Sequence, residues 1–150
     1  WLLSSLELRN RTLLNVSQCI VNIQKGFLSE GEIAMKPLIL REVADRVGVH
    51  ESTVSRATTR KYMLTPRGLY ELKYFFSSHV RTVDGDMISA TATKARIQML
   101  IENEPANQPL SDQEISQLLR ETGICAARRT VAKYREEMMI PSSDKRKKVF

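Results

Sequence analysis

LREVADRVGVHESTVSRA, residues 40–57, is the stretch that decides the fold. Two short helical patterns flank one glycine in it. Leu40 to Val47 reads as a helix stopped at Gly48, and His50 to about Arg60 reads as the next. A helix-turn-helix needs two short helices at a fixed angle, joined by a tight turn that often holds glycine. Small Ala44 lets the second helix come close. Val43, Val47, Val49, Val54 and Ala57 fall where the two helices lock together. With Val54 and Ala57 inward, helical spacing turns Ser52, Arg56 and Thr59 outward, with Thr53 and Arg60 flanking. These side chains suit a major groove, where Arg grips guanine O6 and N7 and Ser or Thr reaches bases or phosphates.

A second helix pair is expected over Asp112–Glu137, with a longer turn. If Gly123 is aligned as Gly48 is, Arg129 falls on an interior position, where an unpaired guanidinium is costly. Starting the last helix near Ala127 removes the conflict. Ala127, Val131, Tyr134 and Met138 then share the inner face, and Arg129 points away from them. Ala132 and Lys133 lie beside Arg129, and Arg128 and Arg135 lie on the flanks. Small Ala132 lets the helix sit deep in a groove, and the surrounding basic residues serve bases and phosphates. Tyr134 is expected in the core or on a phosphate.

Outward from these motifs the chain reads as four parts. Residues 1–35 form one long helix, with an apolar seam at Leu2, Leu6, Leu13, Val16, Ile20, Ile23 and Phe27. Gly26, Gly31 and Pro37 loosen and end it. Arg9 intrudes on that seam, either snorkelling to water, lying beyond its buried part, or facing a partner. Residues 36–80 form the helix-turn-helix domain, closed by a helix after Pro66 and Gly68 that contains Leu69, Leu72, Phe75 and Phe76. Residues 81–89, RTVDGDMIS, read as a flexible linker. Residues 90–150 form the second small domain. Its first helix runs Ala90 to Glu104 with Ile97, Leu100 and Ile101 inward, and Pro105 and Pro109 break it. Ser111 with Glu114 makes a capping box for the next helix, which runs to about Thr122. The last helix ends near Met139, and SSDKRKKVF is a mobile basic tail. With no alternating strand pattern, the expected fold class is all-α.

The net charge is +6 over 150 residues, and it is unevenly spread. Residues 36–80 carry eight basic against four acidic groups, and residues 123–150 carry eight against three. Residues 1–35 are neutral overall, and residues 81–122 carry four basic against seven acidic groups. Two positive blocks suit phosphate neutralisation, although a basic face is also an ordinary solvated surface. No run of about 18 apolar residues exists, so no membrane span is expected. Cys19 and Cys125 have no metal-type spacing and read as reduced thiols of a cytoplasmic protein. No cofactor, metal or catalytic cluster is expected. The chain begins at Trp1 rather than Met, which is expected of a piece of a longer protein.

At the two basic helices the sequence resembles a known family. ARRTVAKYRE (Ala127–Glu136) is similar to the RpoN box, the ten-residue signature of sigma-54 (RpoN) bacterial sigma factors. HESTVSRATTRKY (His50–Tyr62), PRGLYELKYFFSSHV (Pro66–Val80) and WLLSSLELRNRTLL (1–14) are also similar to that family. The resemblance implies the C-terminal DNA-binding portion of such a factor. It implies duplex promoter DNA as partner, with the RNA polymerase core and an ATP-dependent activator as partners of the full-length protein. Arg128 and Arg129 would contact the −24 element, supported by Ala132, Lys133, Tyr134 and Arg135. Ser52, Thr53, Arg56, Thr59 and Arg60 would serve the −12 element, with Arg56 the main reader. The two elements lie roughly one helical turn apart, about 35 Å, so both readers can approach one face of the duplex. Arg9 would touch the factor's regulatory region. Three other classes stay open on the residues alone: a repressor with two helix-turn-helix units, the DNA-binding part of a recombinase, and a helical module that binds only proteins. A palindromic site, metal-dependent nicking, or an absence of salt-sensitive DNA affinity would mark each in turn.

Overall fold

The computed structural model describes residues 1–148. The backbone divides at Ser78 into two compact units, the second beginning at His79.

The first unit opens with α1 (Leu2–Ile23) and α2 (Lys25–Glu30). The expected single helix over 1–35 therefore breaks, and it breaks at Gln24 rather than at a glycine. The reason is a polar clamp. Gln24 is buried, and its amide donates to the carbonyls of Lys36 (2.9 Å) and Phe75 (3.1 Å) and accepts from the Lys36 N–H (2.9 Å). A buried amide is costly unless paired, so these bonds fix the chain's direction there. Only the second half of the apolar seam is used. Val16, Ile20 and Phe27 are fully buried, whereas Leu2 and Leu6 are exposed, as is Arg9.

Two further helices, α3 (Leu40–Val47) and α4 (Glu51–Thr58), pack against α1. After them the fold departs from all-α. Strand β1 (Tyr62–Thr65) pairs antiparallel with β2 (Gly68–Glu71), in the register Tyr62 with Glu71 and Leu64 with Leu69. Pro66 and Gly68 thus turn a hairpin instead of starting a helix. Tyr62 and Thr65 suit a strand, and a two-residue loop fits the turn. The expected helix shrinks to a 3-10 turn, Leu72–Phe75. Leu72 and Phe75 reach the core, but Leu69 remains 64% exposed. The unit's centre is aromatic: Phe27 meets Tyr70 and Phe75 edge-on at 5.2 Å, and Tyr70 stacks on Tyr74 at 4.9 Å.

The second unit begins with another hairpin, β3 (His79–Arg81) and β4 (Met87–Ser89), which replaces the expected flexible linker 81–89. Its tip is the Asp84–Gly85 pair, with Gly85 at φ 88°. That dipeptide is a strong hairpin signal, because glycine takes positive φ freely. The hairpin has a structural duty. Arg81 accepts from the Cys125 N–H, and the Val83 N–H donates to the Gly123 carbonyl, so residues 123–125 are tied beside β3. Ser89 then caps α5 (Ala90–Glu102), accepting from the Ala92 N–H.

Helix α6 (Asp112–Glu121) starts with the expected capping box: the Ser111 N–H donates to Glu114, and the Glu114 N–H donates to Ser111 Oγ. Helix α7 (Arg128–Glu137) follows, then a short α8 (Ser143–Arg146). The basic tail is therefore not wholly mobile. Arg146 is held by both Glu104 carboxylate oxygens at 2.8 and 3.0 Å and by the carbonyls of Pro141 and Leu110. The last two residues of that tail lie outside the described residues.

Candidate nucleic-acid interface

Gly48 sits in the left-handed region (φ 78°, ψ 37°) and turns the chain between α3 and α4. A residue with Cβ is strained there, so glycine is required by conformation rather than by space. His50 caps α4, its Nδ1 accepting from the Ser52 N–H at 3.1 Å. Val43, Ala44 and Val54 are buried as expected. Ala57 is only half-buried, and Thr58 takes the interior place, its hydroxyl donating to the Val54 carbonyl at 2.8 Å. That bond satisfies the hydroxyl, so a polar residue can occupy a core position.

With Val54 and Thr58 inward, a rotation of about 100° per residue sends Arg56 directly away from the core. Arg56 is exposed, and Ser52, Thr53 and Thr59 are half-buried around it. Arg60 is exposed and follows the C-cap Thr59, at φ 55°. The five residues expected at this face thus share one side of α4 and its end.

On α7 the buried strip is Val131, Tyr134 and Arg135. The same rotation sends Arg129 and Lys133 away from that strip. Arg128, Arg129 and Lys133 are exposed, and Ala132 is half-buried beside them. The Lys133 ammonium stands 3.9 Å from Glu137. Ala127 does not join the inner face: it is the exposed N-cap, and Ile124 and Ala126 fill the core there. Tyr134 lies in the core, with the Lys94 ammonium 5.2 Å from its ring centre, and burial pushes its hydroxyl pKa up.

Arg135 is the clearest correction. It is 6% exposed, so it cannot flank a groove-facing surface. Its Nε and Nη2 donate to the two Asp112 oxygens at 2.8 and 3.1 Å, and its Nη1 donates to the Ile140 carbonyl at 2.8 Å. A guanidinium buried this way is a fastener, because removing its partner would leave an uncompensated charge. Asp112 is the residue that sequence reasoning missed. It lies 23 residues from Arg135, and no helical spacing links the two. Arg9 is exposed on the first half of α1, where no residue is buried.

Both units therefore present a short helix with outward guanidinium groups on a helix pair, the build of a two-part DNA-binding protein. Residues 1–148 match the model of the family described as Sigma-54, DNA binding domain. The chain belongs to that family of bacterial transcription-initiation factors, which are not enzymes. It is 58% identical over 150 residues to the RNA polymerase sigma-54 factor of Azotobacter vinelandii, matching all of this chain and 30% of that protein. It is 57% identical over 147 residues to that of Shewanella violacea, covering 98% of this chain and 30% of the relative. For Escherichia coli strain K12 the identity is 54% over 149 residues, covering 99% of this chain and 31% of the relative. The chain thus spans about three tenths of the length of the curated relatives it matches. Among solved structures it resembles Aquifex aeolicus sigmaN bound to promoter DNA, with a TM-score of 0.65 and 45% identity, over 97% of this chain and 43% of that one.

Proposed function

We propose that this chain binds duplex promoter DNA for a sigma-54 factor, with α7 as the RpoN-box helix reading the −24 element and α4 at the −12 element. The observation that carries the reading is Arg129: it is exposed, it is turned away from the buried strip of α7, and it lies in a chain of the sigma-54 DNA-binding-domain family. A guanidinium presented in this way can donate two parallel hydrogen bonds to guanine O6 and N7. Arg128 and Lys133 then neutralise phosphates, each such contact adding about 0.9 to the salt slope of binding. Arg56 reads or grips the second element, with Ser52, Thr53, Thr59 and Arg60 around it. Tyr134 and Arg135 support α7 from inside and touch no DNA.

In the full-length protein this part directs the polymerase core to −24/−12 promoters in the bacterial cytoplasm, under an ATP-dependent activator. Arg9 faces the regulatory region there; activator dependence unchanged by Arg9→Ala would remove that role. Among the described residues no helix is long and apolar enough to cross a membrane. Footprinting on a −24/−12 duplex, beside the same DNA with its GG step altered, tests the reading. Protection of both elements that weakens at −24 on the altered duplex is expected. Equal protection of the two duplexes would refute it.

A further inference from the structure

Helix α7 has a narrow apolar seat. Val131 and Tyr134 are its fully or largely buried hydrophobic residues, with Met138 half-buried at the end. Such a strip resists sliding but only weakly resists rolling about the helix axis. Two ion pairs flank it. Arg135 forks onto Asp112 at the start of α6, and Glu137 pairs with Lys94 of α5. Positions 135 and 137 are about 200° apart around a helix, so the pairs brace opposite sides. They differ in strength. The Lys94–Glu137 pair is partly solvated, with side chains 32% and 41% exposed, and is screened. The Asp112–Arg135 fork is largely buried and has two-point geometry, which fixes direction as well as distance. Below the helix the hold continues. The Arg135 carbonyl accepts from the Ile140 N–H while its Nη1 donates to the Ile140 carbonyl, closing the end of α7.

We propose that Asp112 is a positioning residue for DNA specificity: by holding Arg135 it sets the roll of α7 and hence the aim of Arg129. This rests on the reading of Arg129 given above. A two-point contact with a base edge must be held within about 0.5 Å and 10–20°. Arg129 lies six residues before Arg135, about 9 Å along the axis, so a small roll at the fork is carried directly to it. Asp112 carries no positive charge and both its oxygens are taken by Arg135, so its effect falls on the choice of base rather than on phosphate affinity.

The test measures affinity for a −24/−12 duplex and for the same duplex with GG altered, well below each variant's melting midpoint. Asp112→Ala should cut the affinity ratio about tenfold through loss of the aligned contact, with the salt slope unchanged. Arg135→Lys keeps the buried cation but loses the fork, and should cut the ratio similarly if Asp112→Ala does not fold. Lys94→Met should change it little. A folded variant with an unchanged ratio, or with equal loss on both duplexes, would overturn the role of Asp112. A wild-type ratio of one would instead remove the reading of Arg129. Backbone ¹⁵N relaxation of the 129–137 amides without DNA then still tests the brace: greater mobility in Asp112→Ala is expected, and unaltered mobility overturns it.

Discussion

Around Phe27 the first unit gathers Tyr70, Tyr74 and Phe75 into one aromatic cluster. In the described part of the second unit the sole Phe, Tyr or Trp is Tyr134. The second unit places charge where the first places rings: Arg135 with Asp112, and Arg146 with Glu104, both largely buried. Each unit still presents a short helix with outward arginines. The same presentation can therefore be secured by shape, through dispersion and apolar burial, or by direction, through guanidinium forks. Shape tolerates changes of pH. Forks specify an angle but leave stranded charges when one partner is lost.

The largest expected effect breaks the aromatic side of this contrast. Phe75→Ala opens a cavity and should cost about 3–5 kcal/mol. Amide exchange should show the loss in residues 1–78, with protection of α5, α6 and α7 retained. Next, Glu104→Ala strands Arg146 and should cost the second unit about 3 kcal/mol, the lower end of the range, since two carbonyls still hold the guanidinium. Chemical denaturation should find that wild-type stability changes little in high salt, because the pair is buried.

Acid sharpens the contrast further. Burial pushes the Glu104 carboxyl up, but the Arg146 fork and the Leu110 N–H together hold it below the usual carboxylate range. Lys94 lowers Glu137, and the Ser111 backbone N–H and hydroxyl lower Glu114. A carboxylate whose folded pKa is lowered stabilises fully above its unfolded pKa, roughly 4.3 for Glu. That stabilisation is lost as pH falls through the folded values. The second unit should therefore lose stability below about pH 4 before the aromatic core of the first does. Residue-resolved NMR during an acid titration checks the order, and simultaneous loss would contradict it. The smallest effect is a gain. Met139 is 89% exposed and sits at φ 61° just after α7, with its N–H bonded to Glu136 and the Ile140 N–H bonded to Arg135. Glycine suits that left-handed position, so Met139→Gly should stabilise the second unit by about 0.5–1 kcal/mol, read as a higher melting midpoint.

Much of the helix framework was legible from local signals. Gly48 and the Ser111–Glu114 box act within a few residues, and Val43 and Val54 lie eleven apart on two helices joined by one short turn, so spacing and chemistry are visible together. The hairpins were less legible. Leu69, Leu72, Phe75 and Phe76 recur at near-helical intervals, yet Leu69 pairs across a strand with Leu64, and both stay exposed. Asp84–Gly85 carried a hairpin signal, but its short flanking strands hid it. The candidate interface residues on α7 follow from helical phase, which separates exposed Arg129 from buried Val131. Phase alone could not place Arg135, because a charge on the flank of a helix is solvated or buried according to its partner. That partner, Asp112, comes from another helix.

The central claim concerns Arg129, and binding of Arg129→Ala to the promoter duplex and to its GG-altered counterpart tests it most directly. The substitution should remove on the order of 1–3 kcal/mol of discrimination, bringing the two affinities together. An equal weakening on both duplexes would assign Arg129 to phosphate, and no weakening would take α7 out of the interface.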